Sequence, residues 1–295
     1  MFNRVVVGVD ERSAGCDGIA LAKNLTARGG QLTLAYVLTS DPLFYRSAAV
    51  PEAERARAVK LLETARERAA TKAELRCTAS SSVGLGLHKI AEELGANLLV
   101  LGSSFRGLLG RVLVGDDTQA SLNGASCAVA VAPAGYSQSS GSIGEVGVGY
   151  DGSPESKAAV EIARAIAAEH GARLSACEAV SVPTSKLGPG PLPLSDEVER
   201  LVREARGRIE ALEGVGSHAV YGSAAEELAI YSASVDLLVV GSRGYGPLGR
   251  LVHGSTSSKL ARSARCPLLV LPRPAAPTTS RDAQTERAAV AMSGR

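Results

Sequence analysis

The chain has 295 residues, of which 45% are hydrophobic, so it is long enough for two domains of ordinary size, each with its own core. Its 32 basic and 30 acidic residues leave a net charge of only +2, which provides no field for nucleic acid or anionic lipid. Tryptophan is absent and aromatic residues make up 3% of the chain, so the cores must be aliphatic.

The beginning of the chain predicts a cytoplasmic protein. Residues 1–4 lead directly into the apolar run Val5-Val6-Val7, which is typical of a core strand and leaves no room for a signal peptide. No apolar run approaches the roughly 20 residues that cross a bilayer. The five cysteines are scattered without a Cys-x-x-Cys pair, as expected of free thiols in a reducing compartment.

Two series of predicted elements follow one another in the same order. Each begins with a short apolar strand, continues with an alanine-rich helix that a glycine ends (Gly30 or Gly171), and returns as a second strand. A strand, a helix and a strand in this order form a right-handed parallel βαβ unit. The predicted ranges are 4–10, 14–28 and 32–38 in the first series and 145–151, 156–170 and 174–180 in the second.

The later elements of the two series also match. After loops 39–51 and 181–193, each series has an amphipathic helix, a third strand, another helix, a fourth strand and a fifth strand. Their predicted ranges are 52–73, 75–79, 87–94, 97–101 and 127–132, and then 195–212, 218–221, 224–232, 236–240 and 266–271. This order predicts an α/β fold of two tandem doubly wound parallel-sheet domains with five strands each.

The domains are expected to span residues 1–135 and 144–273. The Ser/Gly-rich stretch 134–144 is expected to be the linker between them. The tail 274–295 lacks an apolar period and is predicted to be disordered.

An internal duplication explains the two series. A shift of 139 residues aligns residues 97–133 with 236–272 without a gap. Over residues 102–115 seven of fourteen positions are identical, namely Gly102, Ser103, Gly107, Leu109, Gly110, Arg111 and Gly115. A short fifth strand at the end of a parallel sheet would expose unpaired backbone, so both fifth strands are expected to be covered or paired.

The stretch 241–256 follows a buried-strand pattern and has the spacing Gly-x2-Gly-x9-Gly-Ser. Glycines let backbone N–H groups approach an anion closely, and the N-terminus of a helix starting after Gly254 favours negative charge. The spacing matches neither the Walker A pattern nor the dinucleotide G-x-G-x-x-G fingerprint. The residues alone therefore leave two interpretations open, a phosphate-binding loop and a structural turn.

These residues resemble a known family. The pattern Gly241-x2-Gly244-x9-Gly254-Ser255 is similar to the ATP-binding motif of the universal stress protein family. Residues 148–153, Val-Gly-Tyr-Asp-Gly-Ser, resemble that family's first strand and Asp turn. The resemblance covers about residues 1–273 and implies two tandem, Rossmann-like domains of the adenine nucleotide alpha hydrolase type. It also implies that the fifth strands exchange pairing across a pseudo-twofold axis.

The resemblance implies an ATP site in the second repeat, at the carboxyl ends of its strands. By resemblance, Asp151 and the backbone near Gly149 contact the adenosine, and Ala179 lines the adenine pocket. The phosphates would be held by Gly241, Ser242, Gly244, Gly254, Ser255 and Thr256. A second interpretation of Asp151 stays open, that of a turn residue capping the helix after Gly152-Ser153-Pro154.

The first repeat departs from the family pattern at two positions. Phe105 stands where the second repeat has Gly244, and Asp116 replaces Ser255. A carboxylate facing phosphates would repel each unit charge by about 4 kcal/mol at about 4 Å in an effective dielectric of about 20, unless Mg²⁺ bridged the two. The first site is therefore expected to be weak or empty, with Asp10 and Gly102 as relics.

Other polar residues of the loops have simpler interpretations. His253 is expected to face solvent, and the serines and threonine of 255–258 are expected to cap the helix or bond phosphate rather than to be phosphorylated. For Arg111 and Arg250, contact with a ligand or partner and plain surface exposure both stay open. No two of the four histidines have metal-ligand spacing, so no metal site is predicted.

Together these observations favour a binding protein over an efficient enzyme, because no general base, metal cluster or activated nucleophile can be placed beside the loop. The expected ligand is ATP, with or without Mg²⁺, in a role in stress adaptation through partners or nucleotide-dependent assembly. The alternatives are a slow ATPase or self-kinase and a nucleotide-free scaffold. The resemblance favours a homodimer of two-repeat chains, and a monomer is also compatible with the pattern.

Overall fold

The computed structural model describes residues 1–10, 14–39, 51–103, 121–139, 142–181, 195–242 and 255–272. The strands are β1 Phe2–Gly8, β2 Thr26–Thr39, β3 Glu74–Ser80, β4 Leu98–Gly102, β5 Ala128–Ala132, β6 Glu145–Gly149, β7 Arg173–Val180, β8 Gly216–Tyr221, β9 Leu237–Gly241 and β10 Leu268–Leu271. The helices are α1 Ala14–Leu25, α2 Glu52–Arg68, α3 Val83–Glu93, α4 Tyr136–Ser139, α5 Pro154–His170, α6 Ser195–Glu210, α7 Ala224–Tyr231 and α8 Ser255–Ser263.

All ten strands form one sheet in the order β3-β2-β1-β4-β5-β10-β9-β6-β7-β8. Within each repeat the neighbouring strands are parallel, as the sequence predicts. Each fifth strand stays beside the fourth strand of its own repeat, and the two fifth strands also pair with each other in antiparallel fashion. Leu268 faces Val131 and Val270 faces Val129 in this pairing. The backbone of each fifth strand, which would otherwise be unpaired at the end of a parallel sheet, is thus paired within the chain.

The antiparallel junction fixes where the two candidate sites lie. Because β5 and β10 run in opposite directions, the strands of the first repeat run opposite to those of the second. The carboxyl ends of β1 and β4 therefore lie at one edge of the continuous sheet, and those of β6 and β9 lie at the other. The two repeats cannot share a single ligand at these edges.

The buried apolar side chains form two clusters, one on each face of the sheet. Along β1, Val5 and Val7 belong to one cluster and Val6 to the other, because successive strand residues point to opposite faces. Each cluster contains residues of both repeats, so the expectation of a separate core for each domain is wrong. The continuous sheet is the reason, since the helices of both repeats cover the same two faces. None of the helices in the described ranges is long and apolar enough to cross a membrane.

The first helix is shorter than predicted and the strand after it is longer. Helix α1 ends at Leu25, and β2 begins at Thr26 rather than beyond Gly30. The Thr26 hydroxyl donates to the carbonyl of Ala22 (2.6 Å), and the Thr26 backbone already pairs with Phe2. In the second repeat, by contrast, Gly171 ends α5 as predicted, with the positive φ of 63° that glycine adopts easily.

The linker is more ordered than its Ser/Gly-rich composition predicts. Within it, α4 is anchored to α1 by the buried Asp17 carboxylate. Asp17 accepts hydrogen bonds from the backbone N–H groups of Gly135 (2.8 Å) and Ser137 (2.7 Å) and from the Ser137 hydroxyl (2.6 Å). Asn24 donates to the Tyr136 hydroxyl (2.9 Å). Composition does not show this anchor, because the acceptor lies more than a hundred residues away in the chain.

Candidate functional site

The second repeat brings three strand ends together at one edge of the sheet. Strand β6 lies between β7 and β9, with Val148 opposite Val239 on one side and Gly149 opposite Cys177 on the other. The Tyr150 N–H continues the ladder to the carbonyl of Cys177 (2.9 Å). Five of the predicted site residues therefore share this edge: Gly149, Asp151, Ala179, Gly241 and Ser242. This is the edge at which doubly wound sheets bind ligands.

Asp151 organises the turn that starts α5. Its Oδ1 accepts hydrogen bonds from the Ser153 backbone N–H (3.0 Å) and from the Ser153 hydroxyl. Ser153 is in turn the N-cap of α5 and accepts from the Ser156 N–H (3.2 Å), while Gly152 adopts a φ of 76°. The capping interpretation of Asp151 is thus present in the structure. Asp151 is half-buried, and its contact with a nucleotide stays a prediction.

The two glycines at the strand ends allow close packing. A Cβ on Gly241 would lie 2.8 Å from both the Cβ and the carbonyl oxygen of Glu155, in the first turn of α5. A Cβ on Gly149 would lie 3.1 Å from Leu228 and Val240 side-chain carbons. Packing of helix on strand is therefore a sufficient reason for glycine at position 241, whether or not a phosphate also lies there.

Ser242 is the most unusual polar residue of the edge. It follows β9 directly, is only 1% exposed, and donates its backbone N–H to Leu271 (2.9 Å). Its hydroxyl oxygen is buried and has no hydrogen-bond partner within the described ranges. A buried hydroxyl left without a partner costs roughly 1–3 kcal/mol. The matching residue of the first repeat, Ser103, donates its N–H to Ala132 in the same way and also makes a further polar interaction.

Helix α8, which follows the glycine-rich loop in the sequence, starts at the same edge. Helix α8 begins at Ser255 and leads into β10, which runs parallel to β9. A helix that leads into a parallel strand starts at the carboxyl edge, so the N-terminus of α8 lies on the side where β9 ends. Thr256 in its first turn is half-buried. Gly244 and Gly254 lie outside the described residues, as do His253 and Arg250.

The first repeat has an equivalent edge on the opposite side of the sheet. Asp10 follows β1 and is half-buried, and Gly102 and Ser103 close β4. Phe105, Arg111 and Asp116, on which the predicted asymmetry between the repeats depends, lie outside the described residues. The asymmetry that the described residues do show is the one between Ser103 and Ser242.

One ion pair near the predicted adenine pocket, in which only the carboxylate is buried, was not predicted. Glu178 precedes Ala179 in β7, is 5% exposed, and accepts three hydrogen bonds from Arg208 of α6, the shortest at 2.6 Å. The hydrogen bond to Glu178 raises the pKa of the Arg208 guanidinium above its ordinary value. The only signal in the sequence is a glutamate that stands between the small residues Cys177 and Ala179 of β7.

No group of three or more His, Cys, Asp or Glu side chains suited to a metal ion occurs within the described parts of the chain. All five cysteines are free. Burial raises the pKa of the Cys127 thiol to about 11 and those of Cys177 and Cys266 to about 12, so these thiols are not activated nucleophiles.

Parallel strands covered by helices on both faces, with the polar turn of Asp151 at the carboxyl edge of the second repeat, define a tandem, doubly wound α/β protein. Residues 1–133 and 143–272 each match the model of the universal stress protein family. The chain therefore belongs to the universal stress protein family and contains its domain twice.

Known proteins agree with this assignment. The chain is 31% identical over 296 residues to a universal stress protein of Mycobacterium tuberculosis, which covers 90% of this chain and 96% of the relative. It is 36% identical over 131 residues to one of Thermus aquaticus, which covers 41% of this chain and 93% of the relative. A crystal structure of a universal stress protein from Archaeoglobus fulgidus superposes with a TM-score of 0.66 at 19% identity, covering 92% and 98% of the two chains, and shows that the fold is shared.

Proposed function

We propose that the second repeat binds ATP at the carboxyl edge of β6, β7 and β9, and that the protein acts in stress adaptation through nucleotide-dependent assembly or partner binding. The observation that carries this proposal is the buried Ser242 hydroxyl, which has no hydrogen-bond partner among the residues that the structure describes. Native proteins pair nearly all buried polar groups, so a buried hydroxyl of this kind at a predicted binding edge is a candidate hydrogen-bond donor to a ligand atom. A phosphate oxygen would accept a hydrogen bond from this hydroxyl and remove the desolvation cost.

The surroundings of Ser242 suit an anion. The residues that follow form the glycine-rich loop of the family motif, and α8 starts at the end of that loop with its N-terminus at the same edge. Free backbone N–H groups at a helix N-terminus attract phosphate. In this proposal Gly241, Ser242, Gly244, Gly254, Ser255 and Thr256 hold the phosphates, while Gly149, Asp151 and Ala179 contact the adenosine.

Asp151 would act as a binding residue in this site. One of its oxygens is already engaged by Ser153, which holds the carboxylate in the turn. Each carboxylate oxygen can accept more than one hydrogen bond, so Asp151 can accept a ribose hydroxyl while it keeps the helix cap. Mg²⁺, if it accompanies ATP, would be held mainly by the phosphates and water, as is common for this ion.

Isothermal titration with ATP tests the proposal through paired substitutions. Gly244→Phe copies the first repeat and should block binding by sterics, and Ser255→Asp should block it by charge. Asp10→Asn in the first repeat is the matched control and should leave the affinity of the main site unchanged. If both second-repeat variants bind ATP with unaltered affinity and Asp10→Asn loses affinity, the nucleotide binds in the first repeat and this proposal is wrong.

We further propose that the chain forms a homodimer. The inner strands β5 and β10 are already paired, so any contact between sheets would use the outer strands β3 or β8 or a helical face. Sedimentation velocity with and without ATP tests both the dimer and its dependence on nucleotide. A chain that stays monomeric in both conditions would remove assembly from the proposed function and leave partner binding.

A further inference from the structure

We propose that the first repeat holds a second binding site, built on α2, for a small organic anion such as a phosphate monoester or a carboxylate with an apolar body. The site is a cavity of about 460 Å³ between the end of β1, the first turn of α1 and the helix α2. This volume is in the range of pockets that bind small molecules.

The walls of the cavity combine an apolar surface with positive charge. Val9, Leu61 and Ala65 provide apolar surface, and three cations of α2 line the cavity: Arg57, Lys60 and Arg68. Among the lining residues that the structure describes, Asp10 is the one carboxylate, so these positive charges outnumber the negative one. Such a wall favours a ligand with an anionic group at one end and an apolar body at the other.

The cavity differs from a nucleotide site of the first repeat. Gly102 and Ser103, which end β4 and begin the loop that matches the family motif, are not among its lining residues. Its cations come from α2. The corresponding helix of the second repeat, α6, contributes no residue to the predicted ATP site. The cavity shares Asp10 with the edge at which a first-repeat nucleotide would bind, and it lies at the opposite edge of the sheet from the predicted ATP site of the second repeat.

The corresponding helix of the second repeat is built differently. Ala58 and Leu62 of α2 are buried against the sheet, as are Ala205 and Ile209 of α6. Superposing these buried pairs places Glu204 at the position of Arg57, Gly207 at that of Lys60 and Arg208 at that of Leu61. Arg208 is bound to the buried Glu178, whose counterpart in β2 is Tyr36. The cationic wall is thus a property of α2. In α6, Arg208 pairs with Glu178 of β7 instead.

Methyl-group NMR of the full chain with phenyl phosphate as the probe tests the proposal. Phenyl phosphate should shift the methyl resonances of Val9, Leu61 and Ala65 in a saturable way, and benzyl alcohol, which lacks the charge, should bind at least tenfold more weakly. The double variant Lys60→Ala/Arg68→Ala should weaken phenyl phosphate by about fivefold for each charge removed.

Two controls make the result decisive. Arg55→Ala/Arg66→Ala removes two charges from the same helix outside the cavity and should leave the affinity unchanged. ATP at saturation should not displace phenyl phosphate. The proposal is overturned if no saturable shift occurs at these methyl groups, if both double variants weaken binding equally, or if ATP competes with the probe.

Discussion

Replacing Ser242 with alanine should stabilise the nucleotide-free protein while it weakens ATP binding. The Ser242 hydroxyl is buried and has no hydrogen-bond partner within the described ranges, so its removal breaks no hydrogen bond there. Burying an unpaired hydroxyl costs roughly 1–3 kcal/mol. Removing the oxygen also removes its packing contacts, which offsets part of this gain. We therefore expect Ser242→Ala to gain about 1 kcal/mol, which raises Tm by about 2–4 °C in a chain of this size.

The matched variant is Ser103→Ala in the first repeat. Ser103 has the same backbone bond and a similar burial, but it makes a further polar interaction. We expect the hydroxyl to make that interaction, so its removal should lower stability by about 1 kcal/mol. The two alanine variants should thus shift Tm in opposite directions.

Thermal unfolding of both variants, with and without ATP, measures these effects. ATP should raise the Tm of the wild type and of Ser103→Ala through mass action, and it should raise the Tm of Ser242→Ala by less. A Ser242→Ala variant that is destabilised by about 1 kcal/mol without nucleotide would show that the hydroxyl is already satisfied. An ATP-induced shift equal to that of the wild type would separate Ser242 from the ligand.

Three further predictions concern stability and reactivity. Asp17→Ala, which removes an acceptor of three hydrogen bonds, should cost about 2–4 kcal/mol in urea unfolding, whereas Asp236→Ala, at an exposed position that accepts from Gly144 and Glu145, should cost less than half of that. Equal losses would show that burial does not set the cost. Although burial raises the pKa of the Glu145 carboxyl, hydrogen bonds from Ser175 and Arg173 outweigh it and leave that pKa below its ordinary value. Its stabilisation is therefore present at neutral pH and is lost as the pH falls below about 4.5, so Glu145→Gln should flatten the acid limb of a stability profile, and an unchanged acid limb would refute this. Iodoacetamide at pH 8 should leave the buried Cys127, Cys177 and Cys266 unlabelled until denaturant is added, and labelling of these three in the native protein would contradict their high pKa values.

The repeat structure could be predicted from the sequence because its signals are local. Apolar runs of four or five residues separated by helical periods predict parallel strands, and the 139-residue shift predicts that both halves share one topology. The predicted strands and helices of both repeats are present. Their ends differ where a side-chain contact decides them, as when Thr26 closes α1 by bonding to Ala22.

Features that depend on distant contacts could not be predicted. Composition predicts a flexible linker at 134–144, but Asp17 of α1 holds part of it as α4. Two separate cores were expected, but pairing of β5 with β10 merges them into two layers that run across both repeats. The pairing itself was expected only from family resemblance, because no local pattern specifies which strand covers an exposed edge.

The candidate site divides in the same way. The motif identifies Ser242 and Gly241, and topology places them beside Asp151. The sequence does not show that the Ser242 hydroxyl lacks a hydrogen-bond partner among the described residues, or that Gly241 packs on Glu155. Those properties depend on the packing of α5 and β10 around the end of β9. The pair of Glu178 and Arg208 is hidden for the same reason, since its partners come from different elements.

A crystal structure of the full chain grown with ATP tests the central claim most directly. The account predicts one nucleotide per chain, in the second repeat at the carboxyl edge of β6 and β9, with the Ser242 hydroxyl within hydrogen-bonding distance of a phosphate oxygen. Nucleotide bound only in the first repeat, beside Asp10 and Ser103, or a chain whose two edges both stay empty at saturating ATP, would contradict it.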